Sequence, residues 1–258
     1  MEKATPAAPA PSCEVRVAVR PGEYLHAVAG QESRDVVLTL SGPDGSKLLE
    51  VDSYTVPLAL PGPEEIHWVA EAAGEVRIEL AGSRGPCGLR LAERRRATAA
   101  DRQRALAEAE LARGHAQRRI REPEPCREGI APYESAERRF AALGLPQRRA
   151  EALLGLGLLH KQCLQQEQAA LQALGRADPL FSGDPAFESA VRQHRGELHH
   201  ALGNVEDAIS EYRQALELRR QLGDRAGEAA TASSLGYSLQ LSGRYDEAAA
   251  LFDRAISL

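Results

Sequence analysis

SSLGYSLQLSGRYDEAAALFDRAISL, residues 233–258, decides the fold, because it repeats the pattern of residues 194–218, HRGELHHALGNVEDAISEYRQALEL. Self-similarity at a fixed period of this kind predicts a solenoid of stacked helix pairs. Five pairs of positions share one constant spacing: Gly196 and Gly236, Gly203 and Gly243, Ala208 and Ala248, Tyr212 and Phe252, and Ala215 and Ala255.

Each recurring residue suits one place in a helix pair. Gly196 in the first helix and Ala208 in the second are small, so the two backbones can approach closely. Tyr212 then fills the space toward the neighbouring pair. Gly203 ends the first helix, because glycine adopts the left-handed conformation at the least cost. Acidic residues such as Glu206 open the second helix at the positive end of its dipole. These roles are structural and need no chemistry.

Weaker copies extend the repeat toward the N-terminus. Gly157 precedes Gly196 at nearly the same spacing, and residues 128–144 match residues 206–223. A solenoid normally ends in a repeat with a polar outer face, and no such cap follows the last apolar pattern. We therefore predict about four helix pairs over residues 98–258, the last of them uncapped.

The repeat resembles the tetratricopeptide repeat, since Leu235-Gly236, Leu239, Ala248, Phe252 and Ala255 occupy its signature places. The resemblance implies a concave groove, lined by the first helix of each pair, that binds a protein or peptide. By this analogy the predicted lining residues are Leu158, Lys161, Gln162, Gln193, Glu197, His200, Ser233, Tyr237 and Gln240.

The N-terminal region has a different period. Val15, Val17 and Val19 alternate with other residues, as in a half-buried strand, and the apolar stretch 35–40 is followed by the turn sequence GPDG at 42–45. Six to eight such short strands predict a small antiparallel β-sandwich or jelly roll over residues 13–93. Residues 1–12, which are rich in Ala and Pro, are predicted to be a disordered leader. The predicted fold class is therefore α+β with two domains.

The order of the two regions is similar to that of the N-terminal half of bacterial CHAT-domain proteins. Residues 22–45, a hairpin around Gly74 and the stretch RRRATAADRQRALAEAE at 94–110 carry this resemblance. The β region itself resembles the pre-peptidase C-terminal type of sandwich. The resemblance implies a caspase-like cysteine protease domain beyond the repeats, so no position of this chain carries its catalytic His or Cys. It also implies a non-catalytic, partner-sensing role for the repeats.

Composition excludes several functions. The net charge of −5 and pI near 5.9 lack the basic surplus of a nucleic-acid-binding surface. No apolar run reaches the ~20 residues that span a bilayer. The N-terminus lacks the apolar core of a signal peptide, which favours the cytoplasm and leaves export as the alternative.

The cysteines do not predict a metal site. Cys13, Cys87, Cys126 and Cys163 contain no closely spaced pair of the kind that zinc sites use. Cys13 and Cys87 fall in the first and last predicted strands. We expect both to be buried free thiols, with a disulfide between them as the alternative.

Other clusters have structural explanations. His160 and Cys163 lie one helical turn apart, but a mid-helix thiol lacks the oxyanion pocket of a cysteine nucleophile. His194 and Glu197 could share a ligand, whereas His199 lies about 140° away from His194 around the helix and packs between helices. Asp35, Asp44 and Asp52 are predicted to serve turns and strand ends, with calcium as the alternative. We therefore predict no catalytic residue, no metal and no cofactor.

The predicted function is a non-enzymatic interaction module. Its partner is a protein or peptide in the repeat groove, and a homodimer through the uncapped C-terminal helix is a further interaction that the sequence permits. Two alternatives stay open at this point: a stand-alone adaptor or assembly scaffold, and a sandwich that binds carbohydrate or calcium.

Overall fold

The computed structural model describes residues 13–29, 36–51, 64–81, 88–181 and 183–258. The predicted leader, residues 1–12, lies outside the described residues, as do Asp35, Asp52 and Cys87. The chain divides into two compact units. Among the described residues, the first unit ends at Ala112 and the second runs over Arg113–Leu258. The sequence places the start of the repeats earlier, at residue 98.

The first unit contains two antiparallel sheets. Their strands are β1 Cys13–Val19, β2 Glu23–Ala29, β3 Val37–Ser41, β4 Lys47–Val51, β5 Glu64–Val69, β6 Gly74–Ala81 and β7 Leu89–Arg96. One sheet has the strand order β1-β6-β3-β4 and the other the order β5-β2-β7.

Alternation along the strands builds one core from both sheets. Val17 on β1, Leu38 on β3 and Ile78 on β6 share a buried cluster with Leu25 on β2 and Ile66 on β5. Because successive strand residues point to opposite faces, the residues between them face away from this core. The antiparallel sheets that the period of two predicts are therefore present.

The rest of the described chain is helical. The helices are α1 Ala99–Ile120, α2 Pro123–Ala142, α3 Pro146–Leu159, α4 Glu167–Ala177, α5 Pro185–Ala201, α6 Val205–Leu222, α7 Arg225–Leu241 and α8 Tyr245–Ser257. A π-helical turn, His160–Leu164, follows α3. A 3₁₀ turn, Asp178–Phe181, follows α4.

The two turn glycines take their predicted places, whereas the aromatic rings also contact the glycine of their own helix pair. Gly203 and Gly243 follow α5 and α7 with φ of 77° and 78°, as expected of left-handed glycines after a helix. A Cβ on Gly196 would lie 2.7 Å from the Tyr212 ring. A Cβ on Gly236 would likewise lie 2.7 Å from the Phe252 ring. Glycine in the first helix thus admits the aromatic ring of the second.

The described cysteines are disulfide-bonded, so the prediction of a free thiol is wrong for Cys13. Cys126 near the start of α2 and Cys163 in the π-helical turn form a disulfide, with their Cα atoms 6.1 Å apart. Cys13 is disulfide-bonded as well, and not a free thiol. Spacing alone did not reveal the Cys126–Cys163 pair, because helix packing brings together two residues that are 37 positions apart.

Candidate functional site

The predicted groove residues fall into two groups. Leu158 is fully buried in a core with Leu154 and Val191, so it lines no surface. Gln193 is also buried. The seven others are partly or fully exposed and come from the π-helical turn, α5 and α7: Lys161, Gln162, Glu197, His200, Ser233, Tyr237 and Gln240. We call these seven residues, together with Gln193, the first-helix face.

Polar contacts join three successive parts of this face. The Lys161 ammonium in the π-helical turn forms a short ion pair with Glu197 on α5. Gln193 donates from its amide nitrogen to Glu197 Oε1 at 2.9 Å and to Ser234 Oγ on α7 at 3.3 Å. Lys161 and Ser234, which are far apart in the chain, thereby belong to one row of polar contacts.

His194 also contacts this row of polar groups. Its Nδ1 lies 3.0 Å from Glu197 Oε2 and 3.3 Å from the Lys161 ammonium. Burial lowers the pKa of His194, which keeps the ring neutral at neutral pH. Burial raises the pKa of Glu197, but the hydrogen bond from His194 and the ion pair with Lys161 lower it by more, so the net shift is downward. Glu197 is therefore an ionised carboxylate with several partners.

The α7 part of the face is more open. The Tyr237 side chain is 61% exposed, and its ring meets the Phe252 ring edge-on at 5.2 Å between centroids. His200 Nδ1 lies 2.9 Å from Ser238 Oγ. Gln240 is exposed one turn beyond Tyr237. Ser233 turns its hydroxyl back to the Ala229 carbonyl at 3.0 Å, so it offers little to a ligand.

Sequence reasoning missed two residues that contact this face. Ser234 and Ser238 were not among the predicted lining residues, although both contact predicted ones. The repeat period could have identified Ser234, because the spacing from Gln193 to Ser234 is close to that period. The contacts across neighbouring helices, and not the period itself, decide which side chains meet.

His160, Cys163 and Asp44, which the sequence also singles out, have structural contacts. The predicted neighbours His160 and Cys163 do not form a catalytic pair, because the Cys163 sulfur is bonded to Cys126 and His160 Nδ1 lies 2.8 Å from Gln166 Oε1. Asp44 accepts hydrogen bonds from the amide and hydroxyl of Ser46, in the turn between β3 and β4. That arrangement is the predicted turn role for Asp44.

A cleft of about 220 Å³ lies between α2, α3 and α4. Glu137 is buried there and forms ion pairs with Arg149 at 2.7 Å and Arg176 at 3.0 Å. These pairs already satisfy the acidic group, so the cleft has the features of a structural contact between helices.

Among the described residues, no helix is both long and apolar enough to cross a membrane.

The comparisons agree with the repeat pattern. Residues 188–258 match the family model described as tetratricopeptide repeat. Human (Homo sapiens) G-protein-signaling modulator 1 is 34% identical in an alignment over 96 residues that covers 32% of this chain and 14% of that protein. The chain therefore spans about one seventh of this curated relative.

Two solved structures have a similar fold. BtubC (BKLC) from P. vanneervenii superposes with a TM-score of 0.54 and 22% identity, over 60% of this chain and 63% of that one. Aspartyl phosphate phosphatase F from Bacillus subtilis superposes with a TM-score of 0.52 and 17% identity, over 62% of this chain and 42% of that one. At these identities the likeness concerns the fold alone. Together with the family match over residues 188–258, it supports a helical repeat fold of the tetratricopeptide type.

Proposed function

We propose that the helical repeats bind a segment of a partner protein on the first-helix face, and that the chain itself is not an enzyme. The observation that carries this proposal is the exposed Tyr237 ring, which lies on the same face as a row of paired polar groups. Exposed tyrosines are frequent contact residues in protein interfaces, because the ring supplies apolar area and the hydroxyl a hydrogen bond.

The ion pair on this face limits which groups are left to contact a partner. Lys161 and Glu197 already neutralise each other, so a partner need not bring a compensating charge to this point. The contacts left for a partner are the Tyr237 ring, the exposed Gln240 amide and the partly exposed His200 ring. A peptide or helix with an apolar anchor beside polar groups fits this pattern.

Finer parts of the proposal rest on resemblance. We propose that the first unit is a β-sandwich or jelly-roll domain and that the chain is the partner-sensing part of a CHAT-type protease. An open reading frame that continues past Leu258 into a domain with a catalytic His and Cys supports this regulatory role; a frame that stops there favours the stand-alone adaptor. The cytoplasm stays a prediction, although disulfides such as Cys126–Cys163 are more usual in oxidising compartments.

Selection of a random peptide library displayed on phage tests the binding face. We expect the intact chain to enrich a peptide family, and Tyr237→Ala to weaken its binding at least about tenfold, as loss of an aromatic contact at an interface does. Glu197→Lys should weaken it too, since it places two like charges side by side. Binding is measured by fluorescence anisotropy with the enriched peptide.

Two matched variants serve as controls. Tyr245→Ala removes a tyrosine of similar exposure, 66% against 61%, from the start of α8. Glu217→Lys reverses an exposed charge on α6. Both should keep full affinity. Equal losses in the control and test variants, or no enrichment above background, would contradict binding at the first-helix face.

A further inference from the structure

A cluster of two histidines and one glutamate lies on the sheet β5-β2-β7. His26 on β2 and His67 on β5 are directly opposite each other in the antiparallel register. Glu65 precedes His67 at the next alternate position of β5, so its side chain lies on the same face. Leu25 and Ile66 point into the shared core, which places the cluster on the outer face of this sheet.

The ligand atoms of the three side chains converge. Nε2 of His26 lies 3.2 Å and Nε2 of His67 lies 3.0 Å from the same carboxylate oxygen, Glu65 Oε2. All three atoms lie within 4.8 Å of one another, and within the described part of the chain they are the one group of three or more His, Cys, Asp or Glu residues that meets this limit. Ligands bound at about 2.0–2.1 Å in a tetrahedral zinc site are separated by about 3.3 Å, close to these distances.

Tyr24 contacts the cluster through His67. Its hydroxyl lies 2.5 Å from His67 Nδ1, the ring nitrogen that points away from Glu65. Metal-binding histidines almost always use their second nitrogen in such a hydrogen bond, which fixes the ring and its tautomer. The Tyr24 hydroxyl can accept from a protonated Nδ1, which leaves the His67 Nε2 lone pair for an ion.

Access to the cluster differs among its three side chains. The exposed fractions of the side chains are 2% for His67, 18% for His26 and 35% for Glu65, so the cluster is open on one side.

One opposing charge comes from α1. An Arg104 guanidinium nitrogen lies 3.7 Å from Glu65 Oε2, and Glu108 lies 3.9 Å from Arg104. On the neighbouring strand β7, Glu93 is opposite His26 in the register and is paired with Arg95. The Arg104 side chain is 31% exposed, whereas Glu108 is buried.

We propose that His26, Glu65 and His67 bind a divalent transition-metal ion such as Zn²⁺, with water in the remaining open position. Two imidazoles and one carboxylate form a ligand set that zinc uses in sites with three protein ligands. Calcium, by contrast, takes six to eight oxygen ligands. The ion would tie β2 to β5 on the face of the sheet opposite the core.

Titration of the intact chain with Co²⁺ tests the site, because tetrahedral or five-coordinate Co²⁺ has strong visible absorption bands. We expect one Co²⁺ to bind per chain and one equivalent of Zn²⁺ to displace it. His26→Ala and Glu65→Gln should abolish the bands and weaken Zn²⁺ affinity more than about 100-fold, which exceeds the 10–100-fold loss typical of an outer hydrogen-bond partner. Tyr24→Phe, which keeps the ring and therefore the fold, should weaken affinity by about 10–100-fold.

Two further variants make the result specific. His200→Ala, on the repeats, should leave Co²⁺ binding unchanged. Arg104→Met should tighten it about tenfold, because it removes a positive charge next to the ion. Absence of saturable Co²⁺ bands in the wild-type chain would overturn the proposal. Bands that persist in both His26→Ala and Glu65→Gln, or that disappear equally in His200→Ala, would also overturn it.

Discussion

The outer faces of α6 and α8 have the same repeat pattern but different surroundings. Leu216 on α6 is 4% exposed, because it packs in a cluster with Ala232 and Leu235 of α7. Ile256 on α8 occupies the equivalent place in the last repeat and is 83% exposed. Tyr212 is likewise buried, whereas its counterpart Phe252 is only partly buried.

This difference separates what a repeat pattern predicts from what it does not. The constant spacing between the repeats predicts which positions are apolar and which helix they lie on. Burial at those positions depends on whether another helix packs against them. Identical places in a repeat can therefore differ by several kcal/mol in their contribution to stability, since that contribution follows the area removed from water.

The largest expected effect tests this difference directly. Leu216→Ala should lower the free energy of unfolding by about 2–5 kcal/mol, because it leaves a cavity between α6 and α7. Ile256→Ala should change it by less than about 0.5 kcal/mol, as an exposed substitution does. Urea unfolding followed by far-UV circular dichroism measures both.

Protein concentration provides the control for this pair. If the homodimer that the sequence permits forms in solution and covers α8, Ile256→Ala should cost more at high protein concentration than at low. Light scattering with size exclusion would then show a dimer in the wild type and a monomer in the variant. An equal, concentration-independent loss in both variants would contradict the contrast between the two faces.

The repeats were predictable from sequence for a physical reason. Packing of each helix pair needs small residues, an aromatic ring and a turn glycine at fixed places, so the requirement repeats along the chain at Gly196, Tyr212 and Gly203. The row from Lys161 to Ser234 was predicted only in part, because its contacts cross between pairs and do not follow the period itself.

The cluster of His26, Glu65 and His67 and the disulfide had no such local signal. His26 and His67 are far apart in the chain and meet only through the register of β2 and β5. Glu65-x-His67 is the one local trace of the cluster, and two residues on alternate places in a strand are common without an ion. The sequence offered only His160 as a near neighbour of Cys163 and gave that pair no catalytic role, whereas helix packing joins Cys163 to Cys126.

A smaller effect is expected where the first-helix glycines meet the aromatic rings. Gly196→Ala should destabilise the chain by about 1–3 kcal/mol, because the buried Tyr212 ring cannot move away from the added methyl group. Gly236→Ala should stay within about 0.5 kcal/mol of the wild type, because two opposing effects nearly cancel. Phe252 is less buried and can shift, and alanine gains up to about 1 kcal/mol in helix propensity.

Gly175 on α4 offers a matched control. A Cβ there would have no neighbour within 4 Å, so Gly175→Ala should leave stability unchanged or raise it by up to about 1 kcal/mol. Thermal unfolding of the three variants gives the ranking. A Gly236→Ala loss as large as that of Gly196→Ala would mean that Phe252 is held as firmly as Tyr212, against the contrast between α6 and α8.

The smallest effect concerns two equivalent places on the first-helix face, where Glu197 is charged and Tyr237, its counterpart in the last repeat, is neutral. The folded-state pKa of Glu197 is lowered, so its contribution is present above the unfolded pKa of about 4.3 and is lost as pH falls toward the folded value. The groups facing it are Lys161, His194 and Arg219.

Glu197→Gln should therefore lower the free energy of unfolding at pH 7 by about 1 kcal/mol or less and flatten the decline of that free energy between about pH 5 and 3. Tyr237→Phe, the control, should leave that decline unchanged. If the stability curves of the wild type and Glu197→Gln run parallel over this pH range, the partners of the carboxylate do not stabilise its ionised form. The row of polar contacts would then contribute through packing and not through charge.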